Sequence, residues 1–312
     1  MEINSQIFKE LMKRGYSLRG DRRVWNISDS KLWFLTPALA EGFVTLKDKT
    51  GFYRKNVIMP ELDLIKNNAK KISSSINSDK FNLIDLSCCT GGRAEAFVAN
   101  MPSNINIRYS PITVSQYLIE LITKKMSSVE DKIGEIKPFI SDFNDFEDIS
   151  KALRNEKYKK NVVLMLGSRI SHYEINEILF NLSRGLMKDD ILVIGNGIRQ
   201  GERFVELEKY QSSLFNEWFI NIMKGLGFEE DEVEYDARFE NYRVEGFYRI
   251  KVDKTIEFNE KKVNFKKGDE VVVAVQYKFY ESELTDFCKM YFRDVEMIKS
   301  ADGGHCLVVC KK

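Results

Sequence analysis

The stretch Phe81–Phe97, FNLIDLSCCTGGRAEAF, limits the fold more than any other part of this chain. Its apolar opening, Leu83-Ile84-Asp85-Leu86, is short enough for a buried strand. A turn of small residues runs from Ser87 to Gly92, and Arg93-Ala94-Glu95-Ala96-Phe97-Val98 reads as a helix. Strand, glycine turn and helix in that order form the nucleotide-binding corner of a doubly wound sheet. There the backbone comes close to a ligand and a helix N-terminus faces it.

A parallel sheet requires strands and helices to alternate, and from 81 to 198 they do. The expected strands are Phe81–Leu86, Ile105–Tyr109 continuing through Ile112, Lys137–Ile140, Val162–Leu166 and Asp190–Ile194. Helices are expected over Ser115–Lys125, Phe146–Leu153 and Glu174–Leu182. Residues 1–80 read as a helical opening region, with Ile7, Leu11 and Met12 sharing a face and a helix after Pro60 through Ile72. Within it Trp25, Trp33, Phe34 and Leu35 are expected either to pack on the main domain or to form a lid. After the fifth strand a helix is expected from Phe204 to Leu226, and from Val233 to Tyr280 the period shifts towards two, as in an antiparallel module. The chain closes with a helix over Ser282–Tyr291 and a hairpin around Asp302-Gly303-Gly304.

Composition excludes several classes of partner. Forty-eight Lys and Arg against forty-seven Asp and Glu leave no basic excess to hold a phosphate backbone, so nucleic acid is not an expected partner. No apolar run reaches membrane-spanning length, and no signal-peptide pattern opens the chain; no membrane partner is expected. Five cysteines without framework spacing fit a reducing, cytoplasmic setting. The adjacent Cys88-Cys89 are expected as small packing residues, because neighbouring cysteines pair poorly; a redox role is the alternative. With two histidines, His172 and His305, and no CxxC pair, no metal site is expected. The sequence leaves the oligomeric state open.

Asp85 followed by the glycine turn resembles motif I of the class I S-adenosylmethionine methyltransferases, (D/E)-x-G-x-G-x-G, with Ser87 and Cys89 replacing two glycines and Gly91 kept. Three further segments come after it in order. Tyr109-Ser110-Pro111-Ile112-Thr113-Val114-Ser115 is similar to Y-x-P-I-D-V-S, and Ser141-Asp142-Phe143 to G-D-F. Leu166-Gly167-Ser168-Arg169-Ile170-Ser171-His172 is similar to L-G-S-x-I-G-N. A late strand, Val273–Phe279, keeps the Lys and Phe of T-E-x-S-x-K-(Y/F). Together, over roughly 60 to 312, they resemble the histidine-specific methyltransferase family, whose best-known member trimethylates histidine on the way to ergothioneine.

The resemblance implies a class I methyltransferase fold, α/β, with a Rossmann-like seven-stranded sheet and an inserted α+β substrate domain. The implied layout is an N-terminal helical region over 1–60 packing with an insertion at 200–280, and the Rossmann-like domain over 61–199 and 281–312. The sheet order implied is 3-2-1-4-5 with an antiparallel hairpin at one edge. The implied cofactor is S-adenosylmethionine, held by Asp85, Ser87, Gly91, Arg93, Tyr109, Thr113, Ser115, Asp142, Phe143, Gly167 and Ser168, with Asp142 and Phe143 at the adenine. The family's ribose-binding carboxylate falls at Thr113. One hydroxyl cannot reproduce a bidentate carboxylate, a loss of about 1.5–3 kcal/mol.

On the substrate side the resemblance implies His172, Tyr173, Tyr210, Gly246, Ala274 and Gln276, with His172 and Tyr210 as catalytic candidates. The family's carboxylate-binding Asn falls at His172, its imidazole-recognising Glu and Ser at Ala274 and Gln276, and a Met at Gly246. Without the acceptor at 274, free histidine is not the expected substrate. Gly246 and Ala274 leave room for a bulkier group, which Tyr173, Tyr248 and Tyr277 are expected to line. Gln276 offers both a donor and an acceptor to an amide or neutral heterocycle. Two readings stand: an N-methyltransferase of a small amine or amino-acid-derived metabolite, and a degenerate relative that binds a partner or uses the cofactor for a non-methyl transfer. Asp85, Asp142, Phe143, Gly167 and Ser168 favour the first; Ser87 and Thr113 favour the second.

Overall fold

The structure is a computed structural model, which describes residues 3–49, 54, 58–86, 88–201 and 207–312. The chain divides into two compact units: 1–49 with 201–278, and 50–200 with 279–312.

The chain opens with helix α1 (Ser5–Arg14), capped by Asn4, whose side chain accepts from the Gln6 and Ile7 amides. A hairpin comes next, β1 (Tyr16–Arg19) and β2 (Arg22–Asn26), and then α2 (Pro37–Lys49). The hairpin corrects the expectation of a purely helical opening. Gly20 takes φ 61° in the two-residue Gly20-Asp21 turn, and such a turn joins antiparallel strands.

The larger unit starts at α3 (Met59–Ser74) and alternates strands with helices. Its elements are β3 (Lys80–Asp85), α4 (Gly92–Ala99), β4 (Asn106–Thr113), α5 (Gln116–Met126), β5 (Ile133–Ile136), β6 (Phe139–Ile140), α6 (Phe146–Ala152), β7 (Asn161–Met165), α7 (Ile175–Gly185) and β8 (Ile191–Gly197). Strands β3 and β7 are buried almost throughout, as a sheet covered on both faces requires. The expected third strand, Lys137–Ile140, is corrected. Strand β5 lies before it, and Phe139–Ile140 forms a separate two-residue strand on β4. Pro138 between them has no N–H to give the ladder, which breaks the strand in two.

In the smaller unit the described chain resumes at α8 (Leu207–Tyr210) and α9 (Ser213–Gly225). These lead into β9 (Val233–Glu240), β10 (Arg243–Ile250), β11 (Lys254–Phe258), β12 (Lys261–Phe265) and β13 (Glu270–Tyr277). The continuous helix expected from Phe204 is interrupted at Ser212, which is extended (φ −66°, ψ 149°); 202–206 lie outside the described residues. Back in the larger unit, α10 (Glu281–Lys289), β14 (Asp294–Lys299) and β15 (His305–Lys311) end the chain.

The larger sheet runs β14-β15-β8-β7-β3-β4-β5, with β6 beside β4. Its five parallel strands take the order expected, and the β14–β15 hairpin joins antiparallel to β8. This is the Rossmann-like sheet expected, so every loop at the carboxyl ends of β3, β4, β7 and β8 opens on one edge.

The smaller sheet is β1-β2-β13-β10-β9, with β11–β12 a separate hairpin. The aromatic segment, expected on the main domain or as a lid, packs within the smaller unit. Trp33 lies on Trp218 and Phe219 of α9 and donates from Nε1 to the Val273 carbonyl at 2.9 Å. A Cβ at Gly42 of α2 would sit 2.9 Å from Trp218 Cδ1, so the α2–α9 contact requires glycine there. Glu245 is fully buried and accepts from Arg19 (2.8 and 2.9 Å), Arg238 (2.9 Å) and Arg243 (2.7 Å). Burial alone would raise its carboxyl, but the bonds from Arg19 and Arg243 outweigh it and hold the group down at about 2.

A carboxyl so depressed binds fewer protons folded than unfolded. Its stabilisation is therefore complete above the ordinary value of 4.5 and is lost as pH falls towards 2. Thermal melting should show wild type losing stability across that window, while Glu245→Gln starts less stable at pH 7 and loses less on acidification. Parallel pH curves for the two proteins would contradict this.

Candidate functional site

The turn after β3 is built for close backbone approach. Gly91 is left-handed (φ 75°), its N–H donates to the Cys88 carbonyl at 2.6 Å, and its own carbonyl accepts from Glu95 at 2.8 Å in α4. Glycine tolerates that φ where other residues are strained. A Cβ at Gly92, the first residue of α4, would meet no described atom within 4 Å, so there is space beside the first turn of the helix. Cys89 is also left-handed (φ 39°). Ser87 lies outside the described residues. Beneath the turn, Tyr109 donates to the buried Asp85 carboxylate at 2.8 Å. Burial, with the charge of Asp85, pushes the Tyr109 phenol well up, so it stays a donor. The same two causes, in the same order, raise the Cys88 thiol, whose Sγ contacts the Ile112 carbonyl at 3.4 Å. A protonated buried thiol is a packing group and not a nucleophile.

Glu61, in the first turn of α3, is 2 % exposed. One carboxylate oxygen pairs with Arg93 Nε, and the other accepts from the Gly167 N–H at 2.6 Å. The turn after β3 and the turn after β7 are thereby tied to one side chain. Two glycines make room for it. A Cβ at Gly195 would lie 2.1 Å from Glu61 Oε1, and one at Gly167 (φ 72°) would lie 3.0 Å from Arg93 Cζ. Sequence reasoning misses Glu61, because an acid just after Pro60 looks like ordinary first-turn charge on a helix.

The remaining strand ends carry the other candidates. Thr113 ends β4, buried, with its hydroxyl accepting from the Ser115 N–H at 3.3 Å; Ser115 in turn caps α5 through Leu118. Asp142 accepts from the Asn144 N–H at 2.8 Å and stands beside Phe143. Phe143 meets Tyr173 edge-on with centroids 4.9 Å apart, and Arg169 lies over its ring at 5.8 Å. Ser168, left-handed at φ 56°, accepts from Gly197 at 3.0 Å. His172 closes the short 3-10 turn Arg169–His172, half-buried. Asp85, Gly91, Arg93, Tyr109, Thr113, Ser115, Asp142, Phe143, Gly167, Ser168, His172 and Tyr173 thus all belong to the larger unit; most lie at or just after strand ends, with Tyr109 inside β4 and Arg93 in α4.

In the smaller unit Tyr210 donates to Gln276 Oε1 at 2.6 Å, and Lys278 donates to both, at 2.7 and 2.8 Å. Gly246 pairs with Ala274 across β10 and β13, and a Cβ on Gly246 would lie 2.9 Å from the Tyr235 hydroxyl. Two of the tyrosines expected to line this place do not. Tyr248 is fully buried and donates to Asn216, and Tyr277, on the opposite face of β13 from Gln276, accepts from Arg243. Among the described residues no cluster of His, Cys, Asp and Glu could hold a metal ion, and no helix is long and apolar enough to cross a membrane.

A family model described as histidine-specific methyltransferase, SAM-dependent, matches residues 45–312. The chain belongs to that family. Its members are S-adenosylmethionine-dependent enzymes, and S-adenosylmethionine is the cofactor of this methyltransferase. Among solved structures, one similar to it is an S-adenosylmethionine-dependent methyltransferase from Clostridium acetobutylicum, at 14% identity, covering 87% of this chain and 98% of that one with a TM-score of 0.45. Another is the magnesium protoporphyrin IX methyltransferase of Synechocystis with bound SAH, at 9% identity, 87% and 93% coverage and a TM-score of 0.44. No curated protein matched the sequence.

The strand ends of this methyltransferase fit such a cofactor: an open helix start over Gly92, a left-handed Gly91, and an aromatic ring and carboxylate at Phe143 and Asp142. Thr113, Ser87 and Cys89 are the positions at which the chain departs from the family motifs on this side. Removing Glu61 should loosen the site from below. Glu61→Ala leaves Arg93, 14 % exposed at its side chain, without its carboxylate. Breaking a buried pair costs about 3–5 kcal/mol, or roughly 10 °C in melting temperature. A melting temperature within about 1 °C of wild type would refute the clamp.

Proposed function

We propose that this methyltransferase transfers a methyl group to the nitrogen of a small amine or amino-acid-derived metabolite, and that free histidine is a poor substrate. The observation that carries the substrate reading is Ala274. Where the family motif has an imidazole-binding carboxylate, the β13 face presents a methyl group opposite Gly246. A site without that acceptor has nothing to pair with an imidazole N–H.

S-adenosylmethionine, when bound, supplies an activated methyl group on a sulfonium. The proposed cofactor residues each have one task. Backbone around Gly91 and the start of α4 carries the amino-acid end, Thr113 and Ser115 the ribose side, and Asp142 and Phe143 the adenine. Asp85, Tyr109, Arg93, Gly167 and Ser168 hold those segments in place; Ser87, also assigned to the cofactor, lies outside the described residues. The substrate-side candidates are His172 and Tyr173 within the larger unit and, taken separately, Tyr210, Gly246, Ala274 and Gln276 within the smaller. A neutral amine is the nucleophile, and the His172 imidazole is the group assigned to take the proton it loses.

The alternative, a relative that transfers no methyl group, draws on Thr113, whose single hydroxyl weakens the ribose grip. A competition assay separates the two. With labelled S-adenosylmethionine, biogenic amines and amino acids should accept methyl groups while histidine remains poor; efficient methylation of free histidine would overturn the substrate reading. In calorimetry Asp142→Ala should weaken S-adenosylmethionine about tenfold, the size of one charge-assisted hydrogen bond. Absence of binding at millimolar concentration would favour the alternative.

A further inference from the structure

Strand β4 runs past the end of β3. Asp85, the last residue of β3, pairs with Pro111, so Thr113 stands two residues further on, beside the turn that follows β3. Cys88, in that turn, has its Sγ 3.4 Å from the Ile112 carbonyl. On its other side Thr113 pairs with Ile140 of β6, and its carbonyl accepts from the Ser141 N–H at 3.1 Å. Thr113 thus lies between the turn assigned to the amino-acid end of the cofactor and the Asp142-Phe143 segment assigned to its adenine. In doubly wound nucleotide sites the end of this neighbouring strand, about 20 residues past the glycine turn, is where the ribose hydroxyls are held.

Two buried hydroxyls meet there. Thr113 is 9 % exposed and Ser115 5 %. Thr113 Oγ1 accepts from the Ser115 N–H at 3.3 Å, and Ser115 Oγ accepts from the Leu118 N–H at 3.4 Å at the start of α5. A hydroxyl has one proton and two lone pairs. Each of these two has one lone pair engaged by a backbone amide, and among the described residues neither proton has an acceptor. A buried donor without an acceptor is unfavourable, and a ligand oxygen relieves it. A carboxylate at position 113 behaves in the opposite way: it has no proton to give and needs one from each ribose hydroxyl.

We infer that Thr113 and Ser115 form a neutral, hydrogen-giving ribose subsite, and that this methyltransferase therefore accepts 2′-deoxy and 3′-deoxy forms of its cofactor with little loss of affinity. Opposite a carboxylate, a missing ribose hydroxyl leaves a buried charge short of a charge-assisted bond. Opposite Thr113 it removes one neutral bond, and the hydroxyl turns to the ribose oxygen that remains. The inference rests on the cofactor placement proposed above and goes beyond it in assigning the selectivity of the ribose contact.

The test is calorimetry on the full chain with S-adenosylhomocysteine and its 2′-deoxy and 3′-deoxy analogues. Wild type should bind each deoxy analogue within about tenfold of the parent, the scale of one neutral hydrogen bond. Thr113→Asp should lose more than about tenfold on at least one of them, as a charge-assisted bond requires. Thr113→Val, similar in size but without the hydroxyl, should bind the parent about two- to tenfold more weakly than wild type and hold the deoxy analogues nearly as well as the parent. Ser115→Gly, which a helix start tolerates, should weaken the parent by a similar factor, with melting temperatures confirming that each variant folds. A wild-type loss on either deoxy analogue as large as that of Thr113→Asp, or Thr113→Val binding the parent as tightly as wild type, would overturn the inference and leave the cofactor placement standing. No binding of S-adenosylhomocysteine at millimolar concentration would refute that placement and the inference with it.

Discussion

Glu61 reaches from the first turn of α3 to Arg93 at the start of α4 and to the Gly167 N–H after β7, a buried carboxylate bonded on both oxygens. Three segments far apart in sequence depend on it for their relative placement at the strand ends. A buried charge is tolerated only when fully paired, so each partner must stay where it is. The requirement extends to residues with no side chain to contribute. Gly195 in β8 is glycine because Glu61 occupies the space a Cβ would fill, and Gly167 because Arg93 does. Glu61 thus braces Arg93, at the start of α4, from a segment outside the turn after β3.

The smaller unit uses the same device with more charge. Glu245 sits at its centre among Arg19, Arg238 and Arg243, and these arginines lie on β1, β9 and β10, strands drawn from the N-terminus and from the insertion. The N-terminal hairpin is tied to the sheet by this pairing as well as by its parallel ladder to β13. On the other face of the sheet small residues and the Tyr210–Gln276–Lys278 bonds define a polar site.

Much of the larger unit is legible in the sequence because buried parallel strands announce themselves as apolar runs between turn residues. Strands β3, β4, β7 and β8 fall within a residue or a few of their expected places. The third strand does not, because Ile133-Gly134-Glu135-Ile136 has no apolar run and Pro138 separates it from Phe139-Ile140. The N-terminal hairpin does carry a signal, the Gly20-Asp21 turn, but the helical pattern around it masks it. Glu61 is illegible for a different reason: its partners lie about thirty and a hundred residues away, and no local pattern encodes such a contact. The polarity of Gln276 is beyond sequence altogether, since it depends on which end of an amide Lys278 faces.

In the proposed complex S-adenosylmethionine lies at the strand ends with the turn and adenine contacts intact and the ribose contact reduced to the Thr113 hydroxyl. Isothermal titration of S-adenosylmethionine into wild type and Thr113→Asp measures that directly. Aspartate can still accept from the Ser115 N–H and adds the second oxygen a ribose diol needs, so affinity should rise about tenfold. Unchanged or weaker binding in the variant, with wild type already tight, would contradict the claim that Thr113 faces the ribose.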